Sequence, residues 1–350
     1  MSDPAAAIDR EILQRLPKAE LHCHLDGSVR PQTLLDLASE YGVEMPRSTA
    51  SDLREFMIVR DARNLEDYLA RFDVTLSVMQ HADALERIAF ELAEDAHTDG
   101  VLYIEVRFSP VLNIRAGLEM HEVVEAVARG LARGEREFGI TSRVIVCALR
   151  HLDPGVSLEL ARLAVAYEGS GVAGFDLAGG EQGNPASRHA GAFDYARSHD
   201  LACTCHAGEG DGASSIREAI HSCGAHRVGH GTRLFEDRAL MEFVNDRRIP
   251  IEICITSNVQ TRVASSYAVH PVRQYFDAGL NVVLNTDNRL MSGTTLTDEY
   301  HHASCALRFT LPELARIALN GFESAFLPLR DRQSLVARAR ERLRALGIQP

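Results

Sequence analysis

The sequence predicts an α/β fold: a closed (β/α)8 barrel of the TIM type, with extra helices after the first strand and at the C-terminus. Three observations point to it. Eight short apolar, β-branched runs recur along the chain. Most are separated by stretches with apolar residues three and four apart, the period of an amphipathic helix. The polar residues that stand out lie at the C-terminal ends of the runs, where a parallel barrel gathers its functional groups. Strand alternating with helix implies parallel pairing through right-handed crossovers.

The first predicted strand is Ala19–His24. The long stretch 31–100 follows and reads as helices Gln32–Tyr41, Leu65–Gln80 and Ala82–Thr98, an insert placed to act as a lid over the barrel mouth. Strands Val101–Phe108 and Ser142–Leu149 flank a helix over Glu122–Phe138. A helix over Ser157–Tyr167 leads into strand Gly171–Gly179, and strands Leu201–Glu209 and Arg227–Arg233 come next. A helix over Asp237–Asp246 precedes strand Ile249–Asn258, and a short helix over His270–Asp277, with Pro271 at its start, precedes strand Asn281–Asn288. A helical extension over about 297–344 packs outside the barrel. No repeat, low-complexity segment or linker divides the chain, so residues 1–350 read as one domain.

Composition narrows the function. With 350 residues, 45% of them apolar, the chain can bury a large core. Lys plus Arg number 37 against 49 Asp plus Glu, a net charge of −12. That argues against a nucleic-acid partner, which would meet a basic face, and disfavours a substrate with several phosphates. The seven scattered Cys define no disulfide framework and read as free thiols of a cytoplasmic protein. The polar N-terminus is no secretory signal, and no apolar run is long enough to span a membrane.

His22 and His24 form an H-x-H pair at the end of the first strand. Side chains alternate along a strand, so both imidazoles share one face and Cys23 takes the other. Thr204 and His206 likewise share a face opposite Cys203 and Cys205, which read as buried thiols rather than ligands. Glu209 lies three residues past His206, and His230 sits between Gly229 and Gly231. Asp287 follows Val282-Val-Leu284 closely at a strand end. Each has a plainer reading: polar strand ends, a surface carboxylate, a core histidine, a helix cap. Together, His22, His24, His206 and Asp287 on three strands offer an N/N/N/O set suited to zinc with an open position for water. Glu209 and His230 stand nearby for proton transfer.

The chain resembles the adenosine deaminase family. The resemblance rests on Pro17-Lys-Ala-Glu-Leu-His-Cys-His-Leu-Asp-Gly27, Phe175-Asp-Leu-Ala-Gly179, His206-Ala-Gly-Glu209, Gly229-His-Gly231, Thr256-Ser-Asn258 and Leu284-Asn-Thr-Asp287, in the family's order and over nearly the whole chain. It implies one zinc ion per chain on His22, His24, His206 and Asp287, with a purine nucleoside as small-molecule substrate. It implies that Glu209 protonates purine N1 and that His230 orients and helps deprotonate the attacking water. It further implies that the backbone N–H of Gly179 holds N3 and that Asp26 reaches the ribose 5′ region. Asn288 departs from the Asp usual there. Its amide donates to N7 without needing a proton, so it either conserves that contact or marks a changed substrate. The motifs H-x-E and P-C-x-x-C of the other zinc deaminase class are absent.

Hydrolytic deamination of adenosine and 2′-deoxyadenosine to inosine and 2′-deoxyinosine is the leading expectation. Free adenine and 6-amino-6-deoxyfutalosine are rivals within the fold. The latter carries a 5′ carboxylate that would want a cation, and Arg54, Arg60, Arg63 and Arg71 are candidates. A two-metal hydrolase of the same barrel superfamily would want a bridging Lys at a late strand end, but Lys18 is the chain's single Lys. A binding protein that had lost catalysis would be expected to lack one of these groups, and none is missing.

Overall fold

The computed structural model describes residues 8–60 and 71–349. Part of the predicted helix Leu65–Gln80, and Arg63, fall outside the described residues; within them, Phe72–Leu76 is helical.

Eight strands form one sheet in sequential order. They are β1 (Lys18–His24), β2 (Val101–Phe108), β3 (Thr141–Leu149), β4 (Val172–Ala178), β5 (Ala202–Ala207), β6 (Arg227–His230), β7 (Ile251–Ile253) and β8 (Val282–Leu284). Every neighbouring pair is parallel. The ring closes just beyond β8. Asp287 N–H donates to the carbonyl of His22 at 2.9 Å, and His24 N–H donates to the carbonyl of Asp287 at 2.7 Å.

The surrounding helices follow their sequence signals. Met120–Phe138 opens with a reciprocal Glu119–Glu122 capping box and ends at left-handed Gly139. Pro154–Ala166 begins with Asp153 as cap and Pro at its first position. The C-terminal extension is three helices, Leu296–Leu307, Leu311–Glu323 and Leu329–Ala345. The middle one lies against the outside of the barrel, and a Cβ on Gly321 would sit 3.1 Å from Ala19 Cβ.

Strand ends differ from expectation where the functional residues begin. Predicted strand Ile249–Asn258 is strand only over Ile251–Ile253; Ile255–Gln260 is a helix. Its apolar, β-branched composition reads as strand, but tertiary contacts override that preference. The predicted strands ending at Glu209, Arg233 and Asn288 also stop early. Gly208, His230 and Asp287 adopt φ of 72°, 59° and 63°, and a left-handed residue cannot continue a strand.

The lumen is ionic rather than apolar. Arg107 on β2 reaches Asp176 on β4 at 2.8 Å and Glu252 on β7 at 2.9 Å, contacts that must cross the barrel interior. Arg227 on β6 pairs with Glu105 and, at 2.6 Å, with Glu252. All five are buried. This network forms the floor beneath the strand ends.

Candidate metal and purine site

Above that floor, four imidazoles and a carboxylate converge. Ligand atoms of His22, His206, His230 and Asp287 all lie within 4.8 Å of one another. His24 Nε2 stands 3.1 Å from His206 Nε2 and 3.3 Å from Asp287 Oδ1. His22 Nε2 lies 3.3 Å from the same carboxylate oxygen yet makes no hydrogen bond. The barrel closure fixes part of this geometry, because its hydrogen bonds join Asp287 to His22 and His24 directly.

The far side of each ring is held. His22 Nδ1 donates to Glu252 at 2.8 Å, and His206 Nδ1 donates to Asp176 at 3.0 Å. Each therefore turns an Nε2 lone pair inward, the orientation in which a carboxylate tunes a metal-binding imidazole. Ser257 Oγ donates to Asp287 Oδ2 at 2.7 Å. Burial holds the imidazoles of His24 and His230 well below the usual histidine range, so both are neutral. An unpartnered buried ring nitrogen, further inward nitrogen lone pairs and a carboxylate fit a divalent cation of the zinc type. Gly229 leaves room for the cluster; a Cβ there would come 3.0 Å from His22 Cε1.

Other expected residues surround this centre. Glu209 is buried, with Oε1 accepting from Thr261 Oγ1 at 3.2 Å and Oε2 lying 3.4 Å from His230 Nε2. Asn258 Oδ1 accepts from Thr232 and His270, so its amide faces His230 Nδ1 at 3.0 Å. Neutral His230 then carries its hydrogen on Nε2. Burial pushes the Asp26 carboxyl up to about 7, and its Oδ1 has no partner. Asn288 is wedged against Gly27, where a Cβ would fall 1.8 Å from Asn288 Oδ1. Gly179 directly follows β4, with φ 94°.

Among the described residues, the structure does not bring the candidate arginines Arg54, Arg60 and Arg71 together at the site. Arg54 and Arg60 pair with Glu55 at 3.3 and 2.8 Å, and the Arg71 guanidinium lies over the Phe56 ring at 4.3 Å. Cys203 and Cys205 point away from the cluster, as alternation requires: their thiols approach the carbonyls of Leu201 and His206.

Sequence reasoning missed Arg107, Glu252 and the roles of Asp176, Ser257, Asn258 and Thr261. A signal existed for two of them. Glu252 between two Ile, and Arg107 between Val and Phe, are charges inside apolar strands, which must be paired if buried.

Fold and site together define a metal-dependent hydrolase built on a parallel barrel. Residues 17–341 match the family model described as adenosine deaminase. The chain is 40% identical over 353 residues to an adenosine deaminase of Mycobacterium avium, covering 95% of this chain and 96% of that protein. It is 45% identical over 322 residues to a probable adenosine deaminase of Dictyostelium discoideum, covering 91% of this chain but 42% of that longer protein. A solved amidohydrolase from Burkholderia ambifaria with bound zinc superposes with TM-score 0.88 at 25% identity, covering 99% of this chain and 96% of that one. The chain belongs to the adenosine deaminase family, metal-dependent hydrolases that deaminate a purine.

Proposed function

We propose that this protein hydrolyses the 6-amino group of adenosine and 2′-deoxyadenosine, releasing ammonia and the 6-oxo nucleoside, with one zinc ion per chain. The observation that carries the reading is the inward convergence of His22, His24, His206 and Asp287 beside a buried Glu209. Zinc, when bound, supplies Lewis-acid activation of water near neutral pH.

This chain's own residues do the rest. Purine C6 is a poor electrophile, because attack breaks the ring's aromaticity. A protonated Glu209 delivers its proton to N1 as C6 becomes tetrahedral, so the displaced electron pair settles on that nitrogen. His230 orients the attacking water, and its Nε2–H, directed by Asn258, supports this part of its role. Gly179 N–H donates to N3, the Asn288 amide donates to N7, and Asp26 meets the ribose 5′ side. The insert over 31–100 acts as the lid. Val59 N–H donates to Met291 O at 2.9 Å, and Ile58 packs on Gly293, which ties the insert to the loop after β8.

A nucleoside without a 5′ anion is favoured because the candidate lid arginines that the structure describes are already engaged. Seven free cysteines, six of them buried, agree with a cytoplasmic setting. No helix among the described residues is long and apolar enough to cross a membrane.

The test is an ultraviolet assay of zinc-loaded protein with adenosine, then with adenine and 5′-extended 6-aminopurines. Adenosine is expected to give inosine rapidly, and a chelator to abolish the reaction. Slow turnover of adenosine beside fast turnover of a 5′-extended analogue would overturn the substrate assignment.

A further inference from the structure

The turn that carries Glu209 is held by a group outside the site described so far. Glu181, in the loop after β4, is buried, and its carboxylate takes three consecutive backbone amides. Oε1 accepts from Glu209 N–H at 2.8 Å and from Gly210 N–H at 3.0 Å; Oε2 accepts from Gly208 N–H at 3.0 Å. Successive amides converging after a left-handed residue form an anion-binding concavity, and Gly208 has φ 72°. A Cβ on Gly208 would strike Ile216 Cδ1 at 2.5 Å, so this turn has little room to move. The Glu209 side chain is tethered at its other end by Thr261 and faces His230.

We propose that Glu181 is a positioning residue for the deamination, setting through these three amides where Glu209 presents its carboxyl. The proposal rests on Glu209 being the proton donor. A carboxylate has two acceptor oxygens with about four lone-pair sites, enough for three donors. An amide has one acceptor oxygen. In Glu181→Gln that oxygen can serve Glu209 and Gly210, but the NH2 group then faces Gly208 N–H, donor against donor. The start of the turn is displaced, and Glu209 with it.

The experiment compares wild type, Glu181→Gln and Glu209→Gln, each checked for zinc content and thermal unfolding. Glu181→Gln is expected to lower kcat about 10- to 100-fold, the scale of a displacement near 1 Å. KM is expected to change by less than about threefold, because the lost interaction belongs to the transition state. Affinity for a 1,6-dihydropurine nucleoside with a hydroxylated tetrahedral C6 should fall with kcat, while affinity for the product inosine should hold. A merely structural role would loosen the pocket and weaken both ligands alike, and that result overturns the proposal. Wild-type kcat in Glu181→Gln alongside a collapsed Glu209→Gln overturns it too. Wild-type kcat in Glu209→Gln would instead remove the reading it rests on. If Glu181→Gln does not fold, Glu181→Asp, which keeps the charge but falls one methylene short, is judged by the same criteria.

Discussion

Glu252 accepts a hydrogen bond from His22 Nδ1 at 2.8 Å, and that contact, with the one between His206 Nδ1 and Asp176, joins the ionic floor of the barrel to the proposed metal site. The same carboxylate takes Arg107, Arg227 and Thr204 at 2.9, 2.6 and 3.0 Å. Four donors on one buried carboxylate leave no site for an amide NH2. Glu252→Gln is therefore expected to weaken zinc binding about 10- to 100-fold. It should also cost roughly 3 to 5 kcal/mol of stability by breaking a buried charge network. Chelator competition and urea unfolding read these separately. Unchanged zinc affinity in a folded variant would show that His22 does not need this partner.

The two strand-five thiols provide a control. Cys203 and Cys205 precede His206 closely enough to tempt a ligand assignment, yet both turn to the outer face of β5 and bond main-chain carbonyls. Cys203→Ala and Cys205→Ala should each keep zinc bound one to one, at a cost of about 1 to 3 kcal/mol for the lost buried atoms. Metal analysis of the purified variants decides the matter, and zinc loss in either one would reverse the facing argument.

The legible and illegible parts of this molecule divide along physical lines. His22 and His24 were readable because strand alternation is local: two residues apart means one face. The eight strands were readable for the same reason, since each announces itself in a short apolar run. Arg107 and Glu252 were not assigned, because each stabilises the other across the barrel interior from strands 145 positions apart. The left-handed conformations of His230 and Asp287 carry no sequence mark, as neither is glycine. They end β6 and the barrel seam at the points where the proposed chemistry begins, and such strain persists where the surrounding structure imposes it. Helix Ile255–Gln260 hid in a strand-like composition, yet it carries Ser257 and Asn258, the partners of Asp287 and His230.

Glu299 gives a pH prediction away from the metal. Its carboxyl is buried against neutral donors, Thr256 N–H at 3.1 Å and Thr294 Oγ1 at 2.9 Å. Burial pushes it up to about 7 from an ordinary 4.5. Cys254 and Tyr267, the titratable groups whose charge would meet it, are themselves pushed up and stay neutral. The folded state thus holds this proton more tightly than the unfolded chain does. Its contribution to stability is full below pH 4.5 and is lost as pH rises through about 7. The loss amounts to roughly 3 kcal/mol. Glu299→Gln removes that dependence, so its melting temperature should gain on wild type as pH rises from 4.5 to 7. Parallel curves across that range would show that Glu299 ionises as it would in water.

Asn288 tests the purine contact. Purine N7 is an acceptor, so its partner must donate. The Asn288 amide donates at every pH, whereas an aspartate donates only while it keeps its proton. The side chain is buried, its Oδ1 lies against Gly27, and that oxygen has no hydrogen-bond partner. A carboxyl placed there would resist ionisation at first, because burial disfavours the charged form. Above its pKa it would present a charge to the lone pair on N7. Asn288→Asp should therefore match wild type on the acid side and then show a falling limb in kcat/KM as pH rises. The loss should reach about 10- to 100-fold, the scale of a hydrogen bond replaced by an unsatisfied buried charge. Wild type has no titrating group at this position, so the additional falling limb should be absent from its profile. Superimposable pH profiles for adenosine would mean that residue 288 does not touch N7, and the assignment of Asn288 to the purine would have to be withdrawn.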